Sequence, residues 1–256
     1  MPLEPHDRPA NDDVDAKEIS PIVDGAVDAE IESVLTALEG ATRYRDWLLS
    51  LCSPHVRGCL LEVGAGRGTY TPHLRSLVDS VVAVEPSVRG AEALGRAVEG
   101  VEGVAVVNGV VGDVSTDEQF DSAVMLNVLE HIPDDAATLR EIAERMNPGG
   151  VLVVWVPAFP SLLGEFDRAI GHVRRYRRRQ LRALAESTGW SVEECRYANL
   201  PGFFAWWLVV RLLGRTPTAG GAAEWYDRRV VPMVRAVERR VHPPFGQSLL
   251  LVARRR

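Results

Sequence analysis

Leu60 to Thr71 reads LLEVGAGRGTYT, an apolar run that carries Glu62 near its end and then gives way to glycines at Gly64, Gly66 and Gly68. A buried strand whose carboxyl end must come close to a ligand reads this way. Glycine admits backbone angles closed to other residues and has no Cβ to collide with the ligand. The GxGxG spacing alone is a weak signal, because glycine turns occur in many α/β proteins. The flanking segments decide what it means.

The chain has 256 residues, of which 46% are apolar and 25% charged, enough for one sizeable α/β core. A net charge of -6 argues against nucleic-acid binding by bulk electrostatics. Cys52, Cys59 and Cys195 have no metal-ligand spacing, so free thiols in a reducing cytosol are expected, with no structural zinc and no metal assigned. The N-terminal MPLEPHDRPANDDVDAKE has no apolar stretch behind a basic start, as a secretory signal would, and no apolar run reaches the roughly 18 residues of a membrane span. A cytoplasmic location is expected.

Residues 1–25 are rich in Asp, Glu and Pro and read as a flexible acidic leader; 26–256 read as a single domain. Helical periodicity runs from Ala26 to Gly40, and a second helix carries Tyr44, Trp47, Leu48 and Leu51. Cys59 to Val63 is the first strand, with a helix expected over Arg67 to Leu77. Val81 to Ser87 (VVAVEPS) is the second, with Glu85 at its tip, about 17 to 20 residues past the glycine turn, where an acid accepts hydrogen bonds from the two hydroxyls of a ribose. A third strand fits Val104 to Val107. In the GVVGDV that follows, Asp113 is either within reach of an adenine amine or a turn-forming acid beside Gly112. Phe120 to Leu126 is the fourth strand and runs into NVLEHIPDD; a helix over Ala136 to Met146, an NPGG turn and the apolar VLVVWVP from Val151 to Pro157 complete the pattern. Strands alternating with helices at this rhythm predict a doubly wound parallel sheet.

LEVGAGRG, VVAVEPS, FDSAVMLNVLEHI and NPGG before VLVVWVP stand in the order and spacing of class I S-adenosylmethionine-dependent methyltransferases, and the chain resembles that family from Leu60 to Tyr197. QSLLLVAR at Gln247 to Arg254 is similar to that fold's last, antiparallel strand. The resemblance implies an α/β, mostly parallel seven-stranded Rossmann-like sheet, with N-terminal helices and a helical insertion before the last strand. It implies S-adenosyl-L-methionine as cofactor and S-adenosyl-L-homocysteine as product. The cofactor-binding set is then Glu62, Gly64, Ala65, Gly66 and Gly68 in and before the glycine loop, Glu85 and Pro86 at the tip of the second strand, Asp113 and Val114, and Asn127 and Val128 in a stretch, Asn127 to Glu130, that lines the cofactor near the sulfur. A nicotinamide dehydrogenase would need GxGxxG, which the position of Gly68 does not give.

The acceptor is written elsewhere. The loop 158–176, AFPSLLGEFDRAIGHVRRY, follows the fifth strand and resembles a bacterial methyltransferase subgroup with a GHxRRY signature, matched at Gly171, His172, Arg174, Arg175 and Tyr176. His172, with His131 as a second candidate, is read as the base that removes an acceptor proton, and Tyr176 as the group that orients the acceptor. Each histidine has a structural alternative: His172 with Arg174 pins the loop to the sheet, and His131 is a capping or cofactor-shell histidine. The arginine run 174–182 either binds an acidic substrate group or starts a solvated helix. Within the 198–246 insertion, 200–214 (LPGFFAWWLVVRLLG) is the most apolar segment, suited to an apolar pocket, a dimer face or a membrane surface, and Glu224 to Val241 reads as a helix with a basic face. The expected activity is methyl transfer to an O or N atom of a small or lipid-like acceptor. A non-catalytic cofactor-binding module, or transfer of another carbon group with the same cofactor, remains open at this point.

Overall fold

The computed structural model describes residues 40–115, 117–208 and 221–256. The acidic leader, the helix expected over 26–40 apart from Gly40, and the end of the apolar segment at 209–214 lie outside the described residues. What is described contains one seven-stranded sheet of order β3-β2-β1-β4-β5-β7-β6. Its strands are β1 (Cys59–Val63), β2 (Ser80–Glu85), β3 (Val104–Asn108), β4 (Phe120–Leu126), β5 (Met146–Pro157), β6 (Trp190–Ala198) and β7 (Ser248–Arg255). Pairs β1–β2, β1–β4, β2–β3 and β4–β5 are parallel; β7 inserts antiparallel between β5 and β6.

The middle strands read as continuous apolar runs because both faces are covered. Successive residues alternate between two cores: Leu61, Val82 and Met125 belong to one, and Leu60, Val81 and Val124 to the other. Helix α1 (Thr42–Cys52) lies on the second core, with Trp47 edge-on to Trp155 at 5.6 Å. Ala41 gives α1 no side-chain cap. Asp227 supplies one from far along the chain, accepting the amides of Arg43 (3.2 Å) and Tyr44 (2.8 Å).

The remaining helices are α2 (Thr71–Arg75), α3 (Val88–Ala97), α4 (Asp135–Glu144), α5 (Glu165–Ala169), α6 (Arg178–Ser187), α7 (Leu200–Trp206), α8 (Gly221–Trp225) and α9 (Val231–Glu238). Three expectations change. The helix after the glycine turn is only α2, since Gly68 is left-handed (φ 85) and Pro72 sits in the helix's first turn. Strand β5 starts at Met146 and takes in the NPGG stretch, with a register shift against β4 between Phe120 and Ser122. The helix expected over Glu224 to Val241 is divided by a wide turn at Tyr226–Val230, beside Pro232, which has no amide to continue the ladder.

Strand order reverses between β1 and β4. In an open α/β sheet the ligand crevice lies there, beyond the carboxyl ends of the strands. The glycine loop leaves β1 at that edge, Glu85 ends β2, Asn127 follows β4 and the 158–176 loop follows β5.

Candidate active site

Gly64, Gly66 and Gly68 have φ of 71, 58 and 85, each for a different reason. A Cβ on Gly64 would sit 2.5 Å from Val128 Cγ2, so glycine there lets the turn after β4 close over the loop. On Gly68 it would meet Ala97 Cβ at 2.9 Å, blocking α3. On Gly66 it would meet nothing within 4 Å. The middle glycine therefore faces clear volume.

Glu85 is buried at the tip of β2 and pins the loop. Its Oε2 accepts the Gly66 amide at 2.8 Å and its Oε1 the Ser87 amide at 3.0 Å. A carboxylate offers about four lone-pair directions, so two remain for a ligand. Glu62, buried at the end of β1, has an Oε2 with no hydrogen-bond partner, and burial pushes its carboxyl up to about 8. Ala65 and Val114 are buried and Pro86 is exposed. The Asp113 Oδ2 accepts the Val110 amide at 2.8 Å, the turn-forming role that the sequence offered as one alternative. Asn127 holds a left-handed φ of 56 while its amide extends the ladder to Trp155 O at 2.8 Å. Strained backbone of this kind needs its surroundings to hold it.

The second half of the site lies where the turn after β4 meets the loop after β5. Glu130 is fully buried, and neither carboxylate oxygen has a hydrogen-bond partner. Burial pushes its carboxyl up to about 8. His172 Nε2 lies 3.7 Å from Glu130 Oε1, and its Nδ1 lies 2.9 Å from Asp167 Oδ1. The rings of His131 and His172 meet edge to face at 4.7 Å. Burial, and then the neighbouring His172, push His131 down to about 4, so it is neutral at pH 7.

Asp167 is the hub. Its Oδ1 accepts Arg175 Nε at 2.9 Å and Nη2 at 2.7 Å, and its Oδ2 accepts the Gly164 amide at 2.8 Å. Burial raises its carboxyl, but the bonds from His172 and Arg175 outweigh that and hold it below the usual carboxylate range. Arg175, itself buried, also donates to Ala158 O at 3.3 Å and lies over the Trp206 ring at 4.6 Å. Arg174 bonds Asp135 and the Pro133 carbonyl. The GHxRRY segment is thus stitched to both strand exits, with Val173 N donating to Glu130 O and Tyr176 N to Pro157 O.

The structure brings together His131 and His172, which the sequence reading offered as alternative bases, and gives Tyr176 another task. Tyr176 is fully buried and its hydroxyl donates to Asp135 Oδ2 at 2.8 Å, so it latches the loop to the turn and is not placed to touch an acceptor. Arg175 likewise points inward, and Arg174, its side chain 30% exposed, is committed to Asp135 and the Pro133 carbonyl, which removes both from the arginine run as an anion site. Asp167 was missed altogether. A signal existed in its spacing, five residues before His172 and eight before Arg175, but an acid in a polar loop has no distinguishing pattern.

A family model described as a methyltransferase domain matches residues 37–195. An uncharacterized methyltransferase of Mycobacterium leprae (strain TN) is 25% identical over 187 residues, covering 64% of this chain and 70% of its own length. Another, from Mycobacterium tuberculosis (strain H37Rv), is 26% identical over 126 residues, 49% of this chain and 50% of its own. Among solved structures, the N-methyltransferase NodS of Bradyrhizobium japonicum WM9 in complex with S-adenosyl-L-homocysteine aligns with a TM-score of 0.54 at 14% identity, over 94% of this chain and 97% of that one. An S-adenosylmethionine-dependent methyltransferase of Clostridium acetobutylicum gives 0.54 at 9% identity, over 83% and 91%. The structural likenesses show the fold, and the family match spans more than half of the chain. The chain belongs to the methyltransferase domain family and has the class I fold.

Proposed function

We propose that the chain transfers a methyl group from S-adenosylmethionine to an oxygen or nitrogen atom of a small or lipid-like acceptor in the cytoplasm. The observation that carries this reading is the meeting of two features at one edge of the sheet. Val128 lies over Gly64, and Glu130 and His131 follow in the same turn, facing His172. The residues present fit the cofactor: clear volume over Gly66, two lone pairs to spare on Glu85, and an orphaned buried oxygen on Glu62.

When bound, S-adenosylmethionine supplies a methyl group on a positively charged sulfur, which leaves the protein with alignment and proton removal. Glu85 holds the ribose hydroxyls. His131 and His172 are the bases within the site, with His172 fixed in orientation by Asp167. Positioning falls to Tyr176, Arg174 and Arg175, through the loop they anchor.

An apolar acceptor is favoured by what surrounds that loop. Phe159 stacks on Tyr197 at 4.9 Å and meets Phe203 of α7 edge-on at 5.5 Å. Trp206 of α7 covers Arg175, and Phe204, Trp207 and Leu208 stay exposed close by in the chain. These are the described part of the apolar segment; no helix among the described residues is long and apolar enough to cross a membrane. A substrate wall, a peripheral membrane contact and a dimer face all use such a surface.

The test is to incubate purified protein with methyl-labelled cofactor and extract of its source cells and to search for labelled product by mass spectrometry. Label in a small or lipid-like molecule identifies the acceptor and its atom. Bound cofactor with no labelled product would favour a non-catalytic module. In His172→Ala, turnover should fall to background while cofactor binding by calorimetry survives; turnover equal to wild type removes His172 from the chemistry.

A further inference from the structure

We infer that Glu130, His131 and His172 form a binding site for one divalent first-row cation, with Zn²⁺ favoured by the donor set. Their donor atoms all lie within 4.8 Å of one another. Donors arranged tetrahedrally around a cation at about 2.0–2.1 Å stand about 3.4 Å apart, so the 3.7 Å between His172 Nε2 and Glu130 Oε1 is nearly there. The widest pair closes by at most about 1.4 Å.

Three independent features point to a cation rather than to a chance cluster. The Glu130 carboxylate is fully buried with both oxygens unpartnered, an arrangement that natural structures rarely leave without a metal, water or donor. His172 Nδ1 is held by Asp167, which leaves its Nε2 facing Glu130. Ligating histidines are commonly held in this way, with one ring nitrogen on a carboxylate or carbonyl and the other left free for the metal. Finally, Glu130 is sealed inside the protein while both histidines are only partly buried, which leaves an approach from solvent.

Two imidazoles and one carboxylate leave a fourth position open, the ligand count of a catalytic zinc site. That position takes water or a heteroatom of the acceptor, and an acceptor hydroxyl bound there releases its proton to solvent more readily, with His131 and His172 then serving as ligands in place of bases. Only this role rests on the methyltransferase reading; cation binding does not. Spacing in the sequence hid the site, because Glu130 and His131 are adjacent and His172 reaches them only across β5.

The test uses the full-length protein, stripped with a chelator, dialysed and titrated with Co²⁺ while d–d absorbance is followed, then with Zn²⁺ in competition. One equivalent should bind at micromolar or tighter affinity. Glu130→Gln and His172→Gln, checked for folding by circular dichroism, should weaken it at least 10-fold, and Asp167→Asn by roughly 10- to 100-fold. Zinc-edge X-ray absorption of the wild type, which needs no variant, should show two imidazole nitrogens and carboxylate oxygen. No stoichiometric cation, or affinity unchanged in both ligand variants, overturns the inference. Calorimetry of S-adenosylmethionine on the stripped protein keeps the two readings apart, since cofactor bound without a cation leaves the methyltransferase site standing.

Discussion

Replacing Asp167 by Asn removes a charge from the interior and almost nothing else. The side chain keeps its shape and one acceptor oxygen, but Arg175, 2% exposed, loses the carboxylate that takes both its Nε and Nη2. What remains to it, the Ala158 carbonyl and the Trp206 face, is polar but uncharged. Removing one partner of a buried ion pair costs about 3–5 kcal/mol, because the other is left as an uncompensated charge. In a chain of this size each kcal/mol lowers the melting temperature by about 2–4 °C, so a fall of roughly 6–20 °C is expected. Circular dichroism melts and urea midpoints measure it. The double variant Asp167→Asn/Arg175→Met then removes the stranded charge, and its loss should be smaller than the sum of the two single losses by about 0.5–3 kcal/mol. If Asp167→Asn melts within about 2 °C of wild type, or if the two losses simply add, the pair is not a buried, mutually dependent unit and the reasoning fails.

The glycines separate packing from ligand space. Gly64→Ala drives a Cβ to 2.5 Å from Val128 at φ 71 and should cost about 2–5 kcal/mol of stability. Gly66→Ala meets no protein atom, so it should cost only about 1–2 kcal/mol while weakening cofactor binding at least ~10-fold by calorimetry; undiminished affinity would put the ligand elsewhere. Burial raises the Glu62 carboxyl from 4.5 to about 8, so folding favours its neutral form. That stabilisation is full below pH 4.5 and is lost as pH rises through about 8, a change of at most about 5 kcal/mol at 1.36 kcal/mol per pH unit. Urea midpoints at pH 6 and pH 9 should show the decline in wild type and a smaller one in Glu62→Gln; equal slopes would mean that Glu62 ionises freely.

The sheet was legible because each parallel strand is an apolar run long enough to cross the core and is followed by its own breaker. Phe120 to Leu126 was read with its observed bounds, and the carboxyl ends of the first two strands fell within two residues. The glycine loop and Glu85 were legible for a related reason: backbone geometry at a strand tip restricts residue type. What was not legible depends on contacts between segments distant in the chain. Nothing in the periodicity of 42–52 shows that α1 takes its cap from Asp227. Nor does Tyr176, conspicuous as a phenol beside a histidine, show that its hydroxyl faces Asp135, 41 residues earlier in the chain. The residue types near the chemistry were visible, but the partners of each were not.

Those partners bear on why the loop after β5 is so highly charged. Buried pairs such as Asp167–Arg175 contribute little net stability, and apolar residues of similar volume would often do better. A segment selected for stability alone had no need of them at a position where Phe166, Leu162 and Trp206 already supply apolar cover. What the network does that apolar packing does not is fix direction. Asp167 Oδ1 receives Arg175 and holds His172 Nδ1, while Oδ2 is fixed by the Gly164 amide, which leaves His172 Nε2 facing Glu130. Asp135 does the same for the turn, receiving Arg174 and Tyr176 beside the 3-10 turn that carries His131. Each charge buried in the loop sets the angle of a group at the crevice. The loop therefore reads as a rigid mount for two imidazoles, and the GHxRRY pattern as the set of residues from which such a mount is built.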